Sequence, residues 1–266
     1  MNPKGRHAVV TGASSGIGRA VAIELARRGA RLTLGARRED ELSATAAACR
    51  DAGSACTAVL TDVSLRDHCR RLIDRGVSEN GPVDILVNNA GFAIFDEVAE
   101  ARTDEVEAMM RTNFFGAFWC IEAVLPSMLE RGEGAIVNVG SITGLMGYAR
   151  MGGYCATKFA ITGLTESLRA EVIDRGVRVS LVCPGTTETA FFVTAERGKM
   201  PAASRLLLAI PPERVARAVV RAVETGRRRT ILPLLAAAYM RFKEILPGPA
   251  HFLMRKVSRW IERSPR

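Results

Sequence analysis

Arg6-His7-Ala8-Val9-Val10-Thr11-Gly12-Ala13-Ser14-Ser15-Gly16-Ile17-Gly18 is the stretch that decides how this chain folds. Residues 6–11 read as a short buried strand, and Arg19-Ala20-Val21-Ala22-Ile23-Glu24-Leu25-Ala26 has helical periodicity that closes at Gly29. Between them lies a glycine turn of the form Gly-x-x-x-Gly-x-Gly. Strand, glycine turn and helix form the setting that a phosphate group needs. Glycines let the backbone come close to a pyrophosphate, and the helix N-terminus offers free N–H groups carrying a partial positive charge. The alternative is an ordinary Gly/Ser-rich strand-to-helix turn. The context favours a dinucleotide site at Gly12, Ser14, Ser15, Gly16, Ile17 and Gly18.

Outward from this stretch, strand and helix alternate. Strands are predicted near 6–11, 31–36, 56–61, 83–88, 134–140, 177–183 and 229–232. Helices are predicted near 16–28, 39–52, 65–80, 102–130, 152–175 and 212–225. Short apolar strands alternating with helices imply an α/β fold, a parallel sheet of seven strands covered on both faces. Right-handed crossovers make it doubly wound. A chain of 266 residues, 48% apolar and 24% charged, is long enough for one large domain of this kind. Met1-Asn2-Pro3-Lys4-Gly5 leads straight into the first strand, with no evident signal or transit peptide, so a cytoplasmic location is expected. Cys49, Cys56, Cys69, Cys120, Cys155 and Cys183 lack metal-type spacing and are expected to be reduced thiols. His7, His68 and His251 are scattered, and no metal site is expected.

The chemistry points to Tyr154-Cys155-Ala156-Thr157-Lys158, where a phenol and an ammonium stand one helical turn apart on one face. A nearby positive charge favours the phenolate, so the pair makes a tunable acid. Two buried strands add to it. Val83–Val87 runs into Asn88-Asn89-Ala90-Gly91, and Gly134–Val139 delivers Ser141 at its C-terminal end, thirteen residues before Tyr154. In open parallel sheets ligands bind off the carboxyl ends of the strands.

Together, Thr11-Gly12-x-x-x-Gly16-Ile17-Gly18, Asp62-Val63, Asn88-Asn89-Ala90-Gly91, Asn113, Ser141, Tyr154-x-x-x-Lys158 and Pro184-Gly185 resemble the short-chain dehydrogenase/reductase pattern in order and spacing. The resemblance covers residues 5 to about 232. It departs only at Gly140, where the family often has a further Ser, and at Cys155 after the tyrosine. It implies a Rossmann fold with strand order 3-2-1-4-5-6-7. It also implies catalytic roles for Asn113, Ser141, Tyr154 and Lys158. Tyr154 would exchange a proton with the substrate oxygen, Ser141 would stabilise that oxygen, and Lys158 would lower the Tyr154 pKa and bind the nicotinamide ribose. Asn113 would position a relay water. Asp62 and Val63 would hold adenine. Asn89, Ala90 and Gly91 would line the ribose and nicotinamide side, and Pro184, Gly185, Thr187 and Thr189 would contact nicotinamide and pyrophosphate. Residues 1–232 would form the catalytic domain, with a substrate lid at about 189–210 and a helical extension over 233–266. A homo-oligomer, dimer or tetramer, is expected on the same ground.

Cofactor choice is read from charge. An NAD-preferring enzyme places an acid at the end of the second strand, on the ribose 2′-OH. Here Ala36 stands there, followed by Arg37 and Arg38. Arginine suits phosphate oxygens, so NADP(H) is expected, held by Arg37 with Ser14 and Ser15. The other reading makes Arg37-Arg38-Glu39-Asp40 a solvated helix start. Apolar residues in 189–210, together with Phe92, Ile94, Phe95, Leu145 and Met146, suggest a hydrophobic ketone, aldehyde or secondary alcohol as substrate. The rival functions are a cofactor-binding regulator without chemistry and a membrane-docked scaffold. The first would have lost Tyr or Lys.

The tail is different in kind. From 226 to 266 there are ten Lys/Arg and two acidic residues, net +8, while the other 225 residues carry 27 Lys/Arg against 26 Asp/Glu. Apolar positions recur helically at Leu232, Leu235, Ala236, Tyr239 and Leu246, then at Leu253, Val257, Trp260 and Ile261. The longest apolar run, Ile231 to Met240, falls short of the ~20 residues a bilayer span takes. A basic amphipathic helix of this kind suits the surface of an anionic membrane, and equally a dimer interface or a packed lid. Nucleic acid is not an expected partner.

Overall fold

The computed structural model describes residues 1–187 and 209–263. All seven predicted strands form: β1 (His7–Thr11), β2 (Arg31–Ala36), β3 (Cys56–Leu60), β4 (Ile85–Asn88), β5 (Gly134–Val139), β6 (Val177–Pro184) and β7 (Arg229–Leu232). They make one parallel sheet in the order β3-β2-β1-β4-β5-β6-β7. The order reverses between β1 and β4, which opens a crevice at their carboxyl ends.

Two apolar layers flank the sheet, because strands buried on both faces need cover on both. On one face Val21 and Leu25 of α1 (Gly16–Arg27) pack against β1 and β2, Leu42 of α2 (Glu39–Asp51) covers β2 and β3, and Val219 of α7 (Pro212–Thr225) lies over β5 and β6 beside α1. On the other, Leu72 of α3 (Arg66–Asn80) covers β2 beside Gly35, Val124 and Met128 of α5 (Gly116–Arg131) cover β4 and β5, and Leu168 of α6 (Gly152–Val172) covers β6. Each of these fully buried aliphatic side chains contributes about 1.5–3 kcal/mol.

The helix expected over 102–130 is not continuous. α4 (Thr103–Met110) passes into a π-helical turn at Arg111–Phe115 before α5 begins. A π turn holds one residue more than an α turn and rotates the helix beyond it, and such turns gather at functional sites. Asn113 sits in this one. α6 stops at Val172, short of the expected 175.

After β7, α8 (Leu234–Ile245) and α9 (Pro247–Arg263) continue the chain. The expected apolar stripe does not survive as one face. Leu232 belongs to β7 and α8 starts only after Pro233, so Ala236 and Met240 are buried while Leu235 and Leu246 are exposed. Of the expected lid, residues 189–208 lie outside the described residues, as does Thr189. Thr187 and Ile210 are joined by an isolated parallel bridge.

Candidate active site

The crevice is closed at its base by a seam between the ends of β1 and β4. Thr11 Oγ1 accepts from the backbone N–H of Asn89 (3.0 Å) and of Ala90 (3.1 Å). The Asn89 amide donates back to the carbonyls of Thr11 (3.0 Å) and Gly12 (3.3 Å). Gly12, at φ +67°, adopts a conformation that favours glycine. A Cβ on Gly18 would collide with the carbonyl oxygen of Gly12 and lie 2.5 Å from Asn89 Nδ2. The first turn of α1 therefore presses directly on the strand end. Ser15, its N-cap, makes no capping bond, and no acidic residue stands in the first turn. The terminal N–H groups of this helix are left to an external anion. This tight, uncapped cradle fits a dinucleotide pyrophosphate.

The end of β2 adds positive charge. Arg38 Nη2 donates to Ser14 Oγ (3.1 Å) and Ser15 Oγ (2.7 Å), and its Nη1 pairs with Glu41 at 3.1 Å. The sequence points to Arg37 and gives no reason to single out Arg38. Arg37 instead acts electrostatically on Asp62. Burial pushes the Asp62 carboxyl up. The backbone N–H and hydroxyl of Ser64, with Arg37 and His68, more than offset this and hold it below its ordinary range. Ser64 N–H donates to Asp62 Oδ1 at 2.9 Å, and Val63 is buried beside it.

Beyond β5, Ser141 turns into a 3-10 segment at Ile142–Gly144, and its Oγ accepts from Thr143 N–H at 3.1 Å. Tyr154 and Lys158, one turn apart near the start of α6, are both buried. α6 is held to the sheet by a buried polar ladder: Asn88 Nδ2 donates to Asn138 Oδ1, and Asn138 Nδ2 donates to Thr165 Oγ1, each at 2.9 Å. The hydroxyls of Ser141 and Thr143 both face the Tyr154 phenol. Thr143 Oγ1 is buried without a hydrogen-bond partner of good geometry, an orphaned hydroxyl beside the reacting pair. Its spacing from Ser141 carries no signal that could have found it.

Lys158 Nζ donates to the Val139 carbonyl at 3.1 Å and lies 5.7 Å from the centre of the Tyr154 ring. A Cβ built on Gly91 would come 3.7 Å from the same nitrogen. The Asn113 carboxamide accepts from Phe92 N–H (2.9 Å) and donates to the Phe92 carbonyl (2.8 Å) and to Thr157 Oγ1 (3.0 Å). It ties the π turn to the loop after β4 and to α6, next to Lys158. These bonds fix the Asn113 carboxamide at the edge of the site. Pro184 ends β6, and Gly185 N–H donates to the Leu232 carbonyl at 2.7 Å.

The electrostatics depart from the simplest expectation, in which Lys158 lowers the Tyr154 pKa. Instead burial raises the phenol above its ordinary value, with Ser141 and Thr143 pulling it back only in part. The ring packs among Phe95, Met109 and Ala93, an apolar wall that penalises phenolate. Burial also lowers Lys158, to about 8. The ammonium thus suffers the same desolvation as the phenol, and the pair rests with Tyr154 protonated.

The family model for short chain dehydrogenase matches residues 6–199. The chain belongs to the short chain dehydrogenase family. Members are oxidoreductases that act on CH–OH and C=O groups with a nicotinamide dinucleotide, and this chain is one of them. It is 30% identical to human 17-beta-hydroxysteroid dehydrogenase 13 over 256 residues, covering 95% of this chain and 83% of that one. It is 40% identical over 185 residues to glycine betaine reductase ATRR of Emericella nidulans, covering 70% of this chain but 15% of that much longer protein. Among solved structures, a short chain dehydrogenase/reductase from Burkholderia phymatum in complex with NAD superposes with a TM-score of 0.84 at 28% identity, covering 92% of this chain and 94% of that one.

Proposed function

We propose that the chain interconverts a hydrophobic ketone or aldehyde with its alcohol, using NADP(H). The observation that carries this reading is the convergence of Ser141, Tyr154 and Lys158 at the carboxyl end of β5, beside an uncapped glycine cradle. A nicotinamide dinucleotide bound in that cradle supplies or accepts the hydride. In the reducing direction Tyr154 gives its proton to the substrate oxygen. Its burial keeps the phenol neutral until negative charge develops there. Thr143 N–H occupies one lone pair of Ser141, whose own hydroxyl proton remains to donate to the same oxygen and stabilise developing alkoxide. Lys158, anchored through Val139, has further N–H donors for a ribose. The presence of Asn113, Ser141, Tyr154 and Lys158 together argues against a regulator without chemistry.

The preference for NADP(H) rests on Arg37 and Arg38 at the end of β2, and on the absence of an acid at Ala36. A 2′-phosphate suits two guanidinium groups, and Ser14 and Ser15 add hydroxyls. Asp62 and Val63 flank an adenine site, and Gly91, Pro184, Gly185 and Thr187 a nicotinamide site; Thr189 is proposed on sequence alone. Phe95, Met146 and the half-buried Phe92, Ile94 and Leu145 make the substrate side apolar. The relationship to a hydroxysteroid dehydrogenase agrees with that. Residues 1–232 would act as the catalytic unit. Phe115, Phe118 and Phe159, about 40–46% exposed on α5, its preceding turn and α6, would be covered by a second copy in a homo-oligomer.

The test is an NADPH-oxidation screen over ketones and aldehydes of graded chain length, repeated with NADH. The reading expects turnover to rise with apolar size and to favour NADPH. No turnover on any carbonyl, or a preference for small polar ones, would refute it.

A further inference from the structure

Among the described residues, no helix is long and apolar enough to cross a membrane. Yet α8 and α9 expose large apolar side chains beside a concentration of positive charge. Leu234, Leu235, Ile245, Leu246, Phe252 and Leu253 are all about half exposed or more, from 46% to 75%. Positions 234, 238, 241 and 245 share one helical stripe of α8, opposite the buried Ala236 and Met240. Arg241 lies within that stripe, and α9 exposes Arg255, Lys256 and Arg259. The Phe252 ring is flanked by Lys256 Nζ (4.8 Å) and Arg255 (5.6 Å). Glu244, the one acid of α8, lies 3.8 Å from Arg229.

This helix pair is also fastened to the active site. Lys243 of α8 donates to the Leu145 carbonyl at 2.9 Å, in the loop that runs from Ser141 to Tyr154. Within the pair, the Tyr239 hydroxyl of α8 donates to the Ala250 carbonyl of α9 at 2.9 Å.

We propose that α8 and α9 dock on an anionic phospholipid surface and hold the substrate side of the site against it. Exposed leucine, isoleucine and phenylalanine beside Lys and Arg are what a headgroup boundary takes: apolar side chains enter it and cations meet its phosphates. Charge selects this occupant over a second copy. A two-fold interface pairs the same patch from both subunits and would set one cationic surface against another. The link to Leu145 rests on the proposed function: an apolar substrate dissolved in lipid would reach the site from the docked side.

The experiment is co-sedimentation of the full chain with phosphatidylcholine vesicles, with and without phosphatidylserine. Binding is expected only with phosphatidylserine. It should fall as salt shortens the Debye length from ~30 Å at 0.01 M to ~8 Å at 0.15 M. Replacing Arg241, Arg255, Lys256 and Arg259 with Gln should cut partitioning by roughly 10²–10³-fold, at about fivefold per cation. The double variant Leu234→Ser, Ile245→Ser should also release the vesicles while turning over a water-soluble ketone as before. Either of two results would overturn the proposal: no binding at low salt, or a dimer in sedimentation that the double variant breaks without any vesicle binding. Sedimentation needs no turnover. A chain that binds these vesicles but reduces no carbonyl would therefore refute the proposed chemistry and leave docking standing.

Discussion

Lys158→Met should make the cofactor-free protein more stable at neutral pH and remove a specific part of its pH dependence. Burial lowers the Lys158 ammonium to about 8, against ~10.4 for a free lysine. When a group's folded pKa lies below its unfolded value, the unfolded chain binds more protons between the two. Stability therefore rises with pH across that window, from about 8 to ~10.4. Below the window the full cost of burying the charge is present. At ~1.36 kcal/mol per pKa unit that cost is about 3 kcal/mol at pH 7. It falls to about 1 kcal/mol at pH 9.5, where the folded amine is neutral and the unfolded one still mostly charged. Met fills a similar volume without charge, but it leaves the Val139 carbonyl without its 3.1 Å donor, a loss of about 1–3 kcal/mol. The variant should thus match or exceed the parent at pH 7, by up to about 2 kcal/mol. The parent should then gain about 2 kcal/mol on it by pH 9.5. Urea unfolding of both proteins at the two pH values measures the double difference, and groups common to both cancel. Parallel pH dependence of parent and variant would refute the claim that Lys158 is a desolvated ammonium.

Other variants test separate parts of the site. Arg37→Asp should reverse the preference for NADPH over NADH in kcat/KM, and Arg38→Ala should weaken NADPH by about 10–100-fold through lost charged hydrogen bonds; an unchanged ratio in both would make them solvated helix-start residues. Thr143→Val removes a buried hydroxyl that faces the Tyr154 phenol, at nearly constant volume, so kcat should fall by about tenfold with NADPH binding unaltered; unchanged kcat would remove Thr143 from the site. Gly18→Ala places a Cβ against the Gly12 carbonyl and should cost about 1–3 kcal/mol in urea unfolding, with loss of cofactor binding; a fully stable variant would show that α1 and β1 are not so closely packed.

The seven strands are legible because each is a short apolar run between turn residues, and burial on both faces is all such a run can satisfy. Arg31–Ala36 and Arg229–Leu232 have the same bounds in sequence and structure. The π turn is not legible. Its Arg-Thr-Asn-Phe-Phe continues the helical pattern of α4 into α5, and the extra residue is decided by Asn113 reaching Phe92 and Thr157 across the fold. Arg37 and Arg38 are adjacent, so charge can name the pair but not which one turns to the glycine loop. That depends on Arg38 standing as the extended N-cap of α2. The tail's periodicity is real, but Pro233 resets its phase between β7 and α8 and moves Leu235 to the outside. A lowering of Tyr154 by Lys158 is all that two neighbouring residues can suggest. The wall that raises it instead comes from Phe95 and Met109, far away in the chain.

Proton transfer by Tyr154 is the step on which the proposed chemistry stands. Tyr154→Phe removes one hydroxyl from a buried ring and leaves the glycine cradle untouched. With the best substrate from the carbonyl screen, the variant should lose kcat by ~10²–10⁴-fold, the contribution of a positioned general acid. NADPH affinity, measured by the change in its fluorescence on binding, should stay as it is in the parent. A correctly folded Phe variant that binds NADPH and keeps substantial turnover would show that the proton comes from elsewhere.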